Sequence, residues 1–254
     1  MRPPHHYRKG IPFFYDKTES EFREDIYEKY DEIVTKQSAL HLADVLWKGY
    51  PMQAIVDFIN QHLHLPARAE IIEIGCSVGR LIGSIAQANP ATTCWALDYS
   101  YQLLKRAKEF WIDGTTIHID VTLKGMQKVL LQGTSLKNLH LGLAKAEDLP
   151  FDDETQDTVI SSFLLDRLQD PFKGLHEMHR VLKKGGQMML ISPLNFTKTE
   201  HWQQLYPLDK IKIYLETMGF EVSVLVENMP IIEPLDIHGN VILWKCLALA
   251  CKKT

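Results

Sequence analysis

The apolar positions of the chain fall into two rhythms that change near residue 66. Before it the spacing is helical. The stretch "TESEFREDIYEKYDEIVTK" opens on an N-cap candidate, Thr18 or Ser20, with acids in its first turn. Phe22, Ile26, Tyr30 and Ile33 follow at steps of four, four and three, which predicts one apolar helix face. "QSALHLADVLW" and "PMQAIVDFINQHL" read as two more helices, parted by "KGYP", with Pro51 suited to a first turn.

After "LPARAE" short apolar runs alternate with amphipathic ones. "EIIEIG", "TTCWALD", "LHLGLA", "QDTVISSFLL", "GGQMMLISP" and "EVSVLVE" read as strands, and "NVILWKCLALAC" as a seventh. Between them "GRLIGSIAQAN", "YSYQLLKRAKEFW", "DPFKGLHEMHRVLKKG" and "PLDKIKIYLETMGF" read as helices. Strand–helix alternation predicts an α/β fold with a seven-stranded, mostly parallel, doubly wound sheet. The last two strands are joined without a helix, which predicts an antiparallel last strand. Residues 112–138 separate a helix from the next strand by more than a short loop and read as an insertion, either a hairpin or an irregular surface excursion. The expected division is an N-terminal helical cap over 1–66 and an α/β domain over 67–254.

Composition narrows the function without fixing it. The 254 residues carry a formal net charge of −4, which argues against a general nucleic-acid binder. The N-terminal "MRPPHHYRKG" is followed by no apolar signal core, and no apolar run is long enough to span a membrane. Cys76, Cys94, Cys246 and Cys251 form no CxxC pair and read as buried thiols of a reducing compartment, so the expected location is cytoplasmic. His5 and His6 suggest no metal site, and none is expected. Met188 and Met189 read as core.

Chemistry enters at "IIEIGCSVGR", residues 71–80. A strand running into Gly75, with a helix opening at Gly79, is where backbone approaches a ligand closely. A dinucleotide fingerprint set on Gly75 would need glycines at 77 and 80, where the chain has Ser77 and Arg80, and there is no GK[ST] of a P-loop. An acid two residues before the first glycine is out of place beside a pyrophosphate and suits an ammonium or sulfonium group. The stretch resembles the first motif of the Rossmann-like, class I S-adenosylmethionine-dependent methyltransferases. Asp98 in "CWALDYS" resembles the acid that grips the ribose hydroxyls there, a task suited to a carboxylate. "AKAEDLPFDDETQDTVISSFLLDRLQDP" and "HEMHRVLKKGGQMMLISP" resemble that family's later motifs in the same order.

The resemblance implies S-adenosylmethionine as cofactor, bound by Glu73, Gly75, Cys76, Ser77, Gly79, Asp98, Tyr99, Ala146, Glu147 and Ser162. Ser77 departs from the family's middle glycine, and Lys145 stands where many relatives carry an acid for the adenine amine, which leaves the adenine to the Ala146 backbone amide and Glu147. Glu73 could instead be a surface acid, Asp98 a helix cap, and Arg80 a packing residue or the partner of an acid. Acceptor residues are expected at the carboxyl ends of the strands: Phe163, Asp166, Arg167, Asn195 and Trp202, with Tyr30 or Tyr27 above the cofactor. "ISSFLLDR" is not the Asn/Asp-Pro-Pro-Tyr of DNA-base or glutamine methylation, so the expected acceptor is a small molecule. "FLLDRLQDP" and "SPLNFTKTEHW" further resemble mercaptohistidine N-methyltransferases, which implies an imidazole or other nitrogen nucleophile. The alternatives are a non-catalytic, cofactor-binding protein of the same fold and a protein or nucleic-acid methyltransferase. The aromatic residues of 1–66 suggest that the cap closes over the cofactor as a lid.

Overall fold

The computed structural model describes residues 1–122 and 125–254. The expected strands form at β3 (Glu70–Ile74), β4 (Thr93–Asp98), β7 (Leu139–Leu143), β8 (Gln156–Ser162), β9 (Leu182–Ser192), β10 (Phe220–Pro234) and β11 (Val241–Lys253). Strands β7, β4, β3, β8 and β9 are parallel neighbours in that order, and β11 runs antiparallel between β9 and β10. Chain order reverses between β3 and β8, so their carboxyl ends flank the crevice where doubly wound sheets bind ligands.

Alternation along the strands explains the two-sided core. Ile71 and Met189 pack on one face with Ile82 and Leu104 of helices α6 (Arg80–Ala88) and α7 (Tyr101–Trp111). Ile72 and Met188 pack on the other with Leu175 and Ile211 of α8 (Pro171–Val181) and α10 (Leu208–Thr217). Successive strand side chains point to opposite faces, so an unbroken apolar run serves a sheet covered on both. The four cysteines are free and buried.

Two expectations are corrected, and of a third pair of alternatives one is found. The sheet has nine strands, not seven, because β1 (His6–Arg8) and β2 (Ile11–Phe13) form a hairpin that extends it beyond β7. Phe13 pairs with Leu143, and Phe14 N–H donates to Leu143 O at 2.8 Å. Gly142 makes room for this: a Cβ there would lie 2.9 Å from the Phe14 ring. Hence the N-terminal segment is not wholly helical.

Secondly, the first helix is three: α1 (Glu19–Glu24), α2 (Ile26–Lys29) and α3 (Asp31–Leu42), the last running on into "QSALHL". Thr18 caps α1 with a capping box. Asp25 and Tyr30 are extended, and the Asp25 carboxylate caps α2 by accepting from Tyr27 N–H at 2.8 Å. The chain therefore turns twice, and Phe22, Ile26 and Tyr30 stay 50%, 47% and 55% exposed instead of forming a buried face. Short helix α4 (Asp44–Trp47) and α5 (Gln53–His62) follow.

Thirdly, the 112–138 insertion carries a separate antiparallel pair, β5 (Thr116–Ile119) with β6 (Val129–Gln132), which is the hairpin alternative. Leu123 and Lys124 within it lie outside the described residues. The remaining α-helix, α9 (Thr199–Leu205), begins at the end of "SPLNFTKTEHW".

Candidate active site

A cavity of about 550 Å³ opens at the carboxyl ends of β3, β4, β7 and β8. Its floor is the turn after β3. Gly75 has φ +75°, and a Cβ there would meet the Leu164 side chain at 3.1 Å, so glycine is required both for the turn and for the approach of Leu164. Ser77 is also left-handed, at φ +52°. Its N–H donates to Asp98 Oδ2 at 2.7 Å, while Ser100 N–H donates to Asp98 Oδ1 at 2.8 Å. One carboxylate thus ties together the two turns that form the floor. The Ser77 hydroxyl is buried with no protein partner, a donor free for a ligand.

Two acids face this cavity, Glu73 buried and Asp98 half-buried. Burial pushes the Glu73 carboxyl up to about 8, against one stabilising hydrogen bond from Ile82 N–H at 3.1 Å. Burial likewise raises Asp98 to about 6, opposed by the Ser100 and Ser77 amides. Near neutral pH Glu73 therefore mostly holds its proton and is poised to ionise when a cation arrives, whereas Asp98, held by two amides, is mostly a carboxylate ready to accept further hydrogen bonds. The cavity walls carry Tyr99, Ala146, Glu147, Ser162, Phe163 and Arg167.

The roof comes from the N-terminal helices, through Glu21, Asp25, Ile26 and Tyr27 of the α1–α2 region and Gln37 and His41 of α3. It is fastened by buried charges. Lys17 Nζ lies 2.5 Å from Asp25 Oδ2, 3.2 Å from Glu28 Oε1 and 4.3 Å from the centroid of the Tyr99 ring. Glu28 Oε1 in turn accepts from Tyr101 N–H, at the start of α7, at 2.9 Å. Lys145 Nζ donates to Glu21 Oε1 at 2.5 Å, and the Tyr15 hydroxyl donates to Glu21 Oε2 at 2.5 Å. Burial alone would raise Glu21, but the donors Lys145, Tyr15 and Thr18 outweigh it and hold it at about 2. Lys145 is thus occupied with the roof.

Five sequence candidates are not brought to the cavity. Gly79 has φ +75°, but its missing Cβ makes room for the Trp111 ring at 3.2 Å, so it serves helix packing behind the turn. Asp166 is buried and accepts from the Ser192 hydroxyl at 2.9 Å and from Asn195 N–H at 3.2 Å; it braces the segment after β9. Asn195 is exposed. Trp202 donates to Phe196 O at 2.7 Å and packs on Phe196 and Tyr206. Tyr30 turns to solvent where the helix breaks. Tyr27 lines the cavity in its place.

Several cavity residues escaped the sequence reading. His41 and Tyr50 sit in the aromatic-rich N-terminal segment, whose composition was the available signal. Glu233 and Trp244 stand on the far ends of β10 and β11, which run past the sheet to flank the cavity. Nothing in an alternating strand pattern marks that overhang. Arg80 donates to Asp44 Oδ2 at 2.8 Å and lies 4.7 Å over the Tyr50 ring, the pairing role that was one of its alternatives.

Residues 72–190 match the family model described as a methyltransferase domain. A phosphatidylethanolamine N-methyltransferase from Cereibacter sphaeroides is 26% identical over 160 residues, covering 59% of this chain and 68% of that protein. The ubiquinone/menaquinone biosynthesis C-methyltransferase UbiE from Haemophilus ducreyi is 34% identical over 103 residues, 40% of this chain and 39% of that protein. A solved SAM-dependent methyltransferase from Aquifex aeolicus has the same fold, with a TM-score of 0.53 at 18% identity, covering 89% of this chain and 100% of that one.

Proposed function

We propose that this chain, a class I S-adenosylmethionine-dependent methyltransferase, methylates a small-molecule acceptor held between the roof helices and the β10–β11 overhang. S-adenosylmethionine is its cofactor. Bound there, it supplies a methyl group made electrophilic by the sulfonium.

The chain's own residues then have defined tasks. Glu73 accepts the ammonium end, Asp98 takes the two ribose hydroxyls, and the turn at Gly75, Cys76 and Ser77 runs alongside the cofactor. Tyr99, Ala146 and Glu147 flank the adenine, and Ser162 the methionine arm. Phe163, Arg167, Tyr27, Glu233 and Trp244 surround the acceptor. The roof over 1–66 acts as a lid that excludes water and holds the acceptor in line with the S–CH₃ bond, where orientation contributes roughly 7–11 kcal/mol. The apolar and aromatic side chains Tyr27, Phe163 and Trp244, interleaved with the charged Arg167 and Glu233, suit a flat ring that carries polar atoms, such as a quinol or an imidazole. The matched relatives named for quinone methylation support the former. The further resemblance to mercaptohistidine methylation supports the latter. Four free buried thiols support a reducing, cytoplasmic location, and among the described residues no helix is long and apolar enough to cross a membrane.

One observation carries this reading: two carboxyls at the ends of adjacent strands, Glu73 buried and Asp98 half-buried, flank the Ser77 turn and open onto one cavity. Calorimetry with S-adenosylhomocysteine tests it. Micromolar binding is expected, with Asp98→Ala weakening it by about 1.5–3 kcal/mol through loss of charge-assisted hydrogen bonds. Unchanged affinity in that variant would sink the assignment of the ribose site. Screening quinols, imidazoles and amines for S-adenosylhomocysteine formation then identifies the acceptor.

A further inference from the structure

His41 and Tyr50 form a pair on the cavity wall that cofactor binding does not use. The Tyr50 hydroxyl lies 2.9 Å from His41 Nδ1, and both residues line the cavity. Among the described residues no other hydrogen bond reaches the Tyr50 hydroxyl, and none reaches His41 Nε2. Burial raises the Tyr50 phenol well above its ordinary range, so it keeps its proton and needs somewhere to donate it. The acceptor within reach is Nδ1. A neutral imidazole that accepts at Nδ1 carries its own hydrogen on Nε2.

Resting on the methyltransferase reading, we propose that His41 offers Nε2–H to a carbonyl or phenolic oxygen of the acceptor, with Tyr50 as the positioning residue that fixes the tautomer. The charged groups around the pair are consistent with a neutral donor. Burial lowers His41 to about 4; Glu233 of β10 opposes this and Arg80 of α6 adds to it. Asp44 of α4 neutralises Arg80 through their ion pair, and α3 contributes uncharged Gln37 to the same wall. A neutral N–H donor favours a carbonyl or phenol without drawing in anions as a lysine would. An acceptor of the same shape but lacking the oxygen would leave this donor without a partner, and an unpartnered buried donor is costly.

The pair is read directly by long-range proton–nitrogen NMR of the ¹⁵N-labelled full chain, with and without S-adenosylhomocysteine, using His41→Gln to assign the signal. The expected result is a neutral ring with hydrogen on Nε2 from about pH 5.5 to 8, and mixed tautomers in Tyr50→Phe. Hydrogen on Nδ1, or a charged ring at neutral pH, overturns the proposal. An unchanged tautomer in Tyr50→Phe overturns the role of Tyr50. Fluorescence titration with 2-methyl-1,4-naphthoquinone and 2-methylnaphthalene supplies the second readout, since Trp244 lines the same cavity. The quinone is expected to bind about 3- to 10-fold tighter, and His41→Leu to abolish that preference. No preference in the unmodified protein, or a preference that survives in the variant, overturns the proposal. S-adenosylhomocysteine affinity is titrated separately: its absence in the unmodified protein would sink the methyltransferase reading, whereas the tautomer is measured with or without it.

Discussion

Glu73 and Asp98 set the electrostatics of the cavity, and their linkage to pH follows from the direction of their shifts. Burial raises Glu73 from 4.5 to about 8, so in the free protein near neutral pH its carboxyl is mostly protonated. An ammonium group entering beside it favours the carboxylate. Binding near pH 7 should therefore release a proton, and affinity should rise between about pH 6 and 8 as that ionisation ceases to oppose binding. Calorimetric heats in buffers of different ionisation enthalpy measure the release. Buffer-independent heats, or the same release from Glu73→Gln, would contradict the assignment. These acids were legible in the sequence because an acid deep in an apolar strand is conspicuous, and Asp98 follows its strand directly. Gly79 was legible as a glycine with a reason, but not which reason: a ligand in front of the turn and a side chain packed behind it both need the Cβ to be missing. Only the Trp111 ring across the helix pair reveals which neighbour claims the space. Asp166, Asn195 and Trp202 follow carboxyl ends of strands as expected, yet chain position does not say which side of the crevice a loop takes after it leaves the sheet.

Among the elements, the buried strands were the most legible, because their unbroken apolar runs serve two helical layers. The N-terminal helices were less so. Phe22, Ile26, Tyr30 and Ile33 have helical spacing, but the ion pairs of Lys17 and the cap at Asp25 bend the chain and turn that row outward. Long-range charge pairing leaves no periodic trace. The same pairing makes the roof testable. Glu21 joins α1 to Lys145, beside the proposed adenine site, through partly buried side chains, so its contribution should exceed that of an exposed ion pair. Lys145→Met should loosen the roof and raise the S-adenosylhomocysteine dissociation rate about 3- to 10-fold, as expected for one lost hydrogen-bonded ion pair, with the fold retained. Stopped-flow displacement provides the measurement. A dissociation rate equal to that of the unmodified protein would mean that the α1 contact does not gate the cofactor.

At the scale of the whole molecule, the N-terminal segment does two separable jobs. Its helices stand over the cavity, while its hairpin completes the sheet edge and braces the loop that follows β7. Arg2 Nη1 and Nη2 each donate to the Asp148 carboxylate at 2.9 Å, and Arg2 N–H donates to Pro150 O at 2.8 Å. Ile11 is buried against the sheet, and Phe13 packs on Tyr101 with ring centroids 5.7 Å apart. Removing a long N-terminal piece such as 1–35 would take both jobs away and could not tell lid from buttress. Removing 1–12 alone takes the hairpin and leaves Lys17, Glu21 and the roof in the chain. Loss of the buried Ile11 side chain and of the support for Phe13 should cost about 3–5 kcal/mol, a fall in melting temperature on the order of 10 °C for a protein of this size. Saturating S-adenosylhomocysteine should recover part of that loss, because the ligand binds only the folded state. Thermal unfolding of the shortened chain, with and without ligand, measures both effects. An unshifted melting temperature would mean that the β1–β2 hairpin merely lies on the sheet edge, and the nine-stranded sheet would then be seven strands with an ornament.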